Sequence, residues 1–466
     1  MENVLRELPN KSVTKIRKEF NLIPRRENGA ILWHKPTLSV FNLDSQHSLL
    51  FKKILDSTKS RISVTTKEYE SLIKMERLIA SRNENNPDNN NIRRLNLMVS
   101  QKCELNCAYC YGNGGTYGTP SKMTSKVAKE AVSFFAEFFA EITSIQFFGG
   151  EPLLNIHVIE DAIRYAGDLV NQGKLKKSPD FAIVTGLAVP NLDNVVRLLK
   201  NFPAIRLLAS CDGPENIHDF LRPYKSGAPS FNTVSKNLDL LRALDQPKSI
   251  ELTYTKLHMD NDLSPSFLRT FFKERFGIKQ IIIIPVVTSR TDLALPPKKI
   301  ASIIFEESTH AFESVKTKSD INCQNWLVSR AQNILHSSPT PYLCDLGISN
   351  FTIDTNGNIF PCQMLVGIQK NQFKIANIFE DRVKLKESIL HSTETWKRIT
   401  KKSQYGQCNG CLLQNYCTGC PASDYLLRRQ FKPSFIICDK KKRFIKRLLK
   451  WYVDFLNESE DRKQND

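Results

Sequence analysis

The 466-residue sequence predicts an α/β fold: a partial (β/α)6 TIM-like barrel, with a small N-terminal α+β domain before it and a C-terminal cysteine-rich domain after it. Three observations predict it. Between residues 94 and 287, short apolar runs alternate with longer amphipathic stretches, the pattern of a parallel sheet covered by crossover helices. The chain before residue 92 has a different texture and ends in the polar run NENNPDNNN, whose Asn, Asp and Pro favour turns. After residue 339, seven of the twelve cysteines stand among turn residues, so part of that core is expected to come from metal.

In chain order, residues 1–92 carry a strand-like stretch, Ala30 to Phe41, and two helix-like ones, Ser48 to Ser57 and Thr66 to Ser81. Residues 93–330 hold the core. Its apolar runs are LNLMVS (95–100), SIQFFG (144–149), FAIVTG (181–186), IRLLAS (205–210), SIELTYT (249–255) and IIIIPVV (281–287). Stretches such as Ser125 to Glu141 and Val234 to Leu244 are the helices between them. Six such units make an open, partial barrel, whose active groups belong at the C-terminal ends of the strands. Residues 331–440 form the cysteine-rich domain, and 441–466 a basic helix and tail. The stripe Phe444, Leu448, Trp451 and Phe455 in that tail reads as a docked helix rather than a membrane anchor.

Composition narrows the function classes. A chain with 41% hydrophobic and 24% charged residues is neither disordered nor collagen-like. The longest regular apolar stretch, Ile281 to Val287, is far short of the roughly 20 residues a membrane-spanning helix needs. The first twenty residues hold no continuous hydrophobic segment of the secretory kind, so a cytoplasmic location is expected. The net charge of +18 is read as a solvated basic surface, and it would suit an acidic peptide. Nucleic acid is not the expected partner. In a reducing compartment, ten of twelve cysteines in two ordered groups argue for metal over disulfides.

The first group follows the first core strand. SQKCELNCAYCYGNGG places Cys103, Cys107 and Cys110 in a C-x3-C-x2-C spacing, three thiolates for one small cluster. Three ligands on a four-iron cluster leave one iron open, which makes a reactive site. The competing readings are a zinc site lacking its usual fourth ligand and a buried cysteine trio. Further signals fall at strand ends. FFGGEP ends the second strand, where Gly149 and Gly150 let backbone approach a ligand and Glu151 can accept from an ammonium.

These residues resemble the radical S-adenosylmethionine (SAM) enzymes. The resemblance implies a four-iron four-sulfur cluster on Cys103, Cys107 and Cys110, a SAM molecule chelating its fourth iron, and reductive cleavage of SAM to a 5'-deoxyadenosyl radical. It also implies an electron donor such as flavodoxin or ferredoxin. Tyr109 matches the aromatic before the last cysteine, and Gly149, Gly150, Glu151 and Pro152 match the GGEP element that holds the SAM amino group. Thr185 and Gly186 stand where relatives carry Thr-Asn-Gly, so the asparagine is absent. In SCDGPENIHDFLRP, Ser210 and Arg222 are candidates for the SAM carboxylate or the substrate, with helix capping and surface ion pairing as the plain alternative.

The second group is Cys344, then Gly357 and Cys362, then CNGCLLQNYCTGC with Cys408, Cys411, Cys417 and Cys420, and last Cys438. Seven thiolates exceed what one metal can use. A zinc ribbon would separate its two C-x2-C knuckles by roughly 15 to 20 residues, whereas five intervene here. The order resembles the SPASM extension of radical SAM enzymes, which implies two auxiliary four-iron clusters and three clusters in all. By that likeness Cys344, Cys362 and Cys420 hold the nearer one, and Cys408, Cys411, Cys417 and Cys438 the farther one. The nearer cluster is then one protein ligand short. Cys323, a non-cysteine group or a substrate thiolate completes it, and Cys211 is read as a core or pocket residue.

SPASM enzymes mostly modify peptides or proteins. The resemblance implies a maturase that crosslinks a ribosomally synthesised precursor peptide, foremost through cysteine thioethers. Residues 1–92 would be a winged-helix-like domain that binds the precursor's leader. The alternatives are an anaerobic sulfatase-maturing enzyme that forms formylglycine, and a maturase that forms carbon-carbon links.

Overall fold

The computed structural model describes residues 5–25, 29–83, 91–139, 141–317 and 321–465. Most of the polar run expected as a linker lies outside the described residues. Six parallel strands, Arg94–Ser100, Ser144–Gly149, Asp180–Thr185, Arg206–Ser210, Ser249–Tyr254 and Ile281–Pro285, stand side by side in chain order. Along each strand one set of residues turns to the helices: Leu97, Phe147, Ile183, Leu207 and Leu252 are fully buried in one apolar cluster. The alternate set, Gln146, Ala182, Leu208, Glu251 and Thr253, is only partly covered and faces the other way. The helices between the strands, among them Ser125–Phe138 and Phe231–Arg242, bury their apolar stripes against the sheet. Thr124 caps the first of these by accepting from the Val127 N–H.

The sheet is open, and it is larger than the six units expected. Asn350–Ile353 from the cysteine-rich region adds to it in parallel, pairing Asn350 with Arg94 and Ile353 with Leu97. Asn358–Phe360 and Ala376–Asn377 then extend the same sheet antiparallel, for nine strands among the described residues. The two cysteine-bearing regions therefore share one sheet.

The N-terminal region forms an α+β unit. A three-stranded antiparallel sheet, Phe20–Pro24, Ala30–His34 and Ser39–Leu43, sits with helices Asn10–Glu19, Ser45–Asp56 and Thr66–Asn83 and with the paired strands Leu5–Leu8 and Ile62–Thr65. The single strand expected over Ala30 to Phe41 is a hairpin instead. Its turn, Lys35 to Leu38, contains Pro36 and puts Leu38 at φ 57, a left-handed conformation that the sequence pattern does not announce. Leu32 faces the unit's own core, while Ile31 and Trp33 face Leu327 and Ala331 of helix Ile321–Leu335 and Leu448 and Leu449 of the C-terminal helix. That last helix, Cys438–Asn465, is docked by this apolar stripe. Among the described residues no helix is long and apolar enough to cross a membrane.

Candidate functional site

At the C-terminal end of the first two core strands, three loops meet backbone to backbone. The Gly150 N–H donates to the Ser100 carbonyl at 2.7 Å and the Glu151 N–H to the Lys102 carbonyl at 2.8 Å. A Cβ on Gly149, which has φ +132, would stand 2.1 Å from the Ser100 carbonyl oxygen. A Cβ on Gly115 would stand 2.6 Å from Cys103 Cβ and 2.8 Å from Gly150 Cα. Only side-chain-free residues permit this approach. The cysteine loop is also pinned on its other side, by Asn106 N–H to the Pro223 carbonyl and Ala108 N–H to the Leu221 carbonyl, both at 2.8 Å. Thus Cys103, Cys107 and Cys110 are held between the GGEP turn and the segment after the fourth strand.

Glu151 is 3% exposed and its carboxylate accepts three internal hydrogen bonds. They come from Thr185 Oγ1 at 2.7 Å, the Gly186 N–H at 2.9 Å and the Leu153 N–H at 3.0 Å. Burial pushes its carboxyl up despite these donors. Glu151 therefore ties the second strand end to the third, and Thr185 takes part in the site through it. Pro152 opens the short helical turn that follows and is buried. Ser210 is buried at the end of the fourth strand, in register with Glu251 of the fifth.

Asp212, fully buried, is the hub of a polar network that the sequence pattern did not reveal. It accepts from Tyr109 Oη at 2.5 Å, Arg222 Nε at 2.8 Å and the Thr253 N–H at 3.0 Å. Burial alone would push its carboxyl up, yet Arg222, His218, His258 and Tyr109 together hold it below the usual carboxylate range. His218 Nδ1 lies 3.3 Å from both the Asp212 N–H and Cys211 Sγ, which leaves the ring proton on Nε2 for Ser230 Oγ at 3.1 Å. Burial pushes the His218 imidazole down to about 4 and the Cys211 thiol up to about 12. The network fixes the Arg222 guanidinium 4.0 Å from Cys107 Sγ and over the Tyr109 ring. Glu251 is a second residue missed, a half-buried carboxylate on the open face of the sheet; burial pushes it up, against the pull of Arg222. A lone acid inside the apolar run SIELTYT is the signal that would have found it.

The thiols suit a cationic cluster. Burial pushes Cys103 up to about 12 and Cys107 up to about 11, so without a metal they stay neutral; iron ligation supplies the positive charge that a thiolate needs here. Among the described residues no three His, Cys, Asp or Glu side chains converge to hold a single metal ion. A four-iron cluster takes its thiolates one per iron, not at a common point.

The later cysteines fall into two neighbourhoods. Cys344 and Cys362 pack around Leu346, Leu365, Trp396 and Tyr425, and Cys420 Sγ lies 3.9 Å from Met364 of the same cluster. Burial pushes Cys344 up to about 11 and Cys362 higher, with Cys420 adding to both. Cys408 and Cys438 are pushed up by burial and then by Cys417 and Cys411. Cys323 does not join the first neighbourhood. It packs, with Trp326, Phe444, Cys411 and Cys417, against the apolar cluster that includes the C-terminal helix, because its own helix is docked there.

Residues 97–266 match the family model of the Radical SAM superfamily, and residues 344–412 match that of SPASM, an iron-sulfur cluster-binding domain. An uncharacterized protein of Methanocaldococcus jannaschii is 32% identical over 210 residues, which is 45% of this chain and 65% of that protein. The radical SAM cyclopropyl synthase TigE of Paramaledivibacter caminithermalis is 30% identical over 167 residues, 32% of this chain and 33% of that protein. The chain thus spans less than two thirds of the length of these curated relatives. Among solved structures, native anSMEcpe with bound AdoMet and Cp18Cys peptide gives a TM-score of 0.62 at 17% identity, over 78% of this chain and 99% of that one. Streptococcus suis SuiB bound to precursor peptide SuiA gives 0.52 at 14% identity, over 90% of this chain and 98% of that one. At these identities the likeness is one of fold.

Proposed function

We propose that this chain, which carries a radical SAM domain followed by a SPASM domain, is a peptide maturase that installs crosslinks, foremost cysteine thioethers, in a ribosomally synthesised precursor. The meeting of the three-cysteine loop with the GGEP turn supports this most, since it is built from glycines packed too closely for any side chain. Cys103, Cys107 and Cys110 would hold the SAM-binding cluster, and the two later neighbourhoods of cysteines the auxiliary ones. When bound, the cluster supplies the electron that cleaves SAM to its adenosyl radical. Gly149 and Gly150 offer close backbone, Arg222 a fixed cation for the SAM carboxylate, and Ser210 a hydroxyl on the same strand end. The burial of this wall excludes water from a reactive carbon.

Three cysteines in the nearer set leave room for a substrate thiolate, which favours a sulfur-carbon bond. That SuiB and anSMEcpe were both solved with peptides bound supports a peptide as substrate. Reconstituted without oxygen and reduced with dithionite, the chain should release 5'-deoxyadenosine from SAM, and C103A should not. Failure of the wild type to do so refutes the reading. With a precursor, a loss of two hydrogens per bond together with a cysteine blocked to alkylation marks the thioether. The same loss with a free cysteine marks a carbon-carbon link, and formylglycine marks a sulfatase-maturing enzyme.

The N-terminal unit would bind the leader, with flavodoxin or ferredoxin as electron donor and the cytoplasm as location. A cavity of about 150 Å³ between Leu8, Ile16, Phe20, Phe51, Leu72 and Met75 supports an apolar anchor there. Filling it with Leu72→Trp should weaken precursor binding at least tenfold, and unchanged binding would remove this part of the proposal.

A further inference from the structure

Lys402 is 1% exposed and its ammonium donates to the Thr340 carbonyl at 2.8 Å. An ammonium has three N–H donors and a full charge, and burying it without a compensating anion is strongly unfavourable. Asp345, the carboxylate that acts on it, is already paired with Arg93. The chain after Lys402 turns straight into the cysteine segment, the Tyr405 N–H donating to the Lys402 carbonyl at 3.0 Å and the Cys408 N–H to the Tyr405 carbonyl at 2.8 Å. Besides Lys441, the other groups that act on Lys402 are Cys417 and Cys408, so their sulfurs become the anions at hand once they ligate metal.

A second lysine repeats the situation from the other end of the chain. Lys35, 9% exposed, stands in the hairpin turn of the N-terminal sheet, and Cys411, anionic once it ligates metal, is the first group that offsets the cost of burying it. Glu19, the next, has its carboxylate 3.3 Å from His34 Nε2. The turn is clamped to the cysteine segment: Trp33 Nε1 donates to the Leu412 carbonyl at 3.0 Å, and Asn415 Nδ2 donates to the Lys35 carbonyl at 3.2 Å. Exposed lysines nearby, such as Lys442, are screened by water, whereas buried charges act through a low dielectric.

A four-iron cluster on four thiolates carries net negative charge that grows on reduction, and net charge around it sets its potential. We propose that Lys402 and Lys35 are the countercharges of the cluster held by Cys408, Cys411, Cys417 and Cys438, and that they raise its reduction potential. The proposal rests on the cluster assignment made above for those four cysteines. Both lysines are positioning residues: they touch neither SAM nor substrate. Because Lys35 belongs to the N-terminal unit, the domain read as leader-binding also tunes that cluster.

The test is an EPR-monitored redox titration of the full, reconstituted chain, with iron counted first. Wild type holding three four-iron clusters is expected; iron for one cluster alone would sink both the assignment and the countercharges. In K402M, with its iron retained, the reduced-to-oxidised ratio of one auxiliary cluster should fall at least tenfold at a fixed potential, about 59 mV for a one-electron couple. K402R, which keeps the charge, should stay within threefold of wild type, and K35M should shift in the direction of K402M. A wild-type potential in K402M, or equal shifts in K402M and K402R, overturns the proposal while leaving the cluster assignment standing. Should K402M fail to hold its iron, K35M decides: a shift in the stated direction supports the proposal and no shift overturns it.

Discussion

Gly150→Ala puts the geometry of the cysteine loop to a direct test. Gly150 is not in the left-handed region, so room rather than backbone conformation decides the outcome. Its added Cβ would stand 2.4 Å from the Lys102 carbonyl oxygen, 2.6 Å from that of Gly115 and 2.8 Å from the Lys102 carbonyl carbon. All three are backbone atoms and cannot swing aside. Ordinary contact begins near 3.4 Å, so the loops must part by about 1 Å. Overpacking of this kind costs about 1–3 kcal/mol, and a misplacement of about 1 Å at a reacting centre costs on the order of 100-fold in rate. The assay is 5'-deoxyadenosine release under dithionite, with thermal unfolding alongside. Gly167→Ala is the control: it lies in helix Ile156–Asn171 with nothing within 4 Å of its new Cβ, and should stabilise by about 0.5–1 kcal/mol at unchanged rate. Wild-type release by G150A would refute the claim that the close approach of these loops builds the site.

Three further outcomes follow from the same structure. Asp212→Asn leaves Arg222 buried without its partner and should lower stability by about 3–5 kcal/mol in urea unfolding, whereas a loss under 1 kcal/mol would show the pair to be dispensable. His218 has its folded pKa depressed to about 4, so below pH 6.5 the unfolded chain binds a proton that the folded chain refuses. Stability should therefore fall as pH drops from 6.5 toward 4, by about 3 kcal/mol in total; His218→Gln should flatten that slope, and an unchanged slope would contradict the buried neutral ring. Trp33→Phe removes the indole donor from the Leu412 carbonyl and should cost about 1–2 kcal/mol, seen as faster amide exchange in residues 411–415, and unchanged exchange there would show the clamp to be idle.

The parallel strands were legible because each is a continuous apolar run fitted between two helices: 144–149 and 249–255 differ from the observed strands by at most one residue. The cysteine loop, GGEP and Thr185 were legible because glycine and cysteine spacing carries its own chemistry. Asp212 was hidden, since nothing in SCDGPENIHDFLRP shows that Tyr109, 103 residues earlier, donates to it. The N-terminal hairpin was misread because Leu38 at a positive φ is rare. Helix Asn10–Glu19 was missed because only Val13 and Ile16 of it are buried, too few to mark a stripe. The burial of Lys35 and Lys402 depends on segments that meet only in the fold, and lysine gives no hint of burial by itself.

The pairing of Asn350–Ile353 with Arg94–Leu97 bears on how the gene product can be divided. Without the later segment, the first core strand, whose residues 95–100 are all buried, would end the sheet with a bare row of N–H and C=O groups. An expression clone stopping near residue 330 should yield aggregates, while a separately produced fragment from 331 onward should restore solubility by supplying the missing neighbour strand.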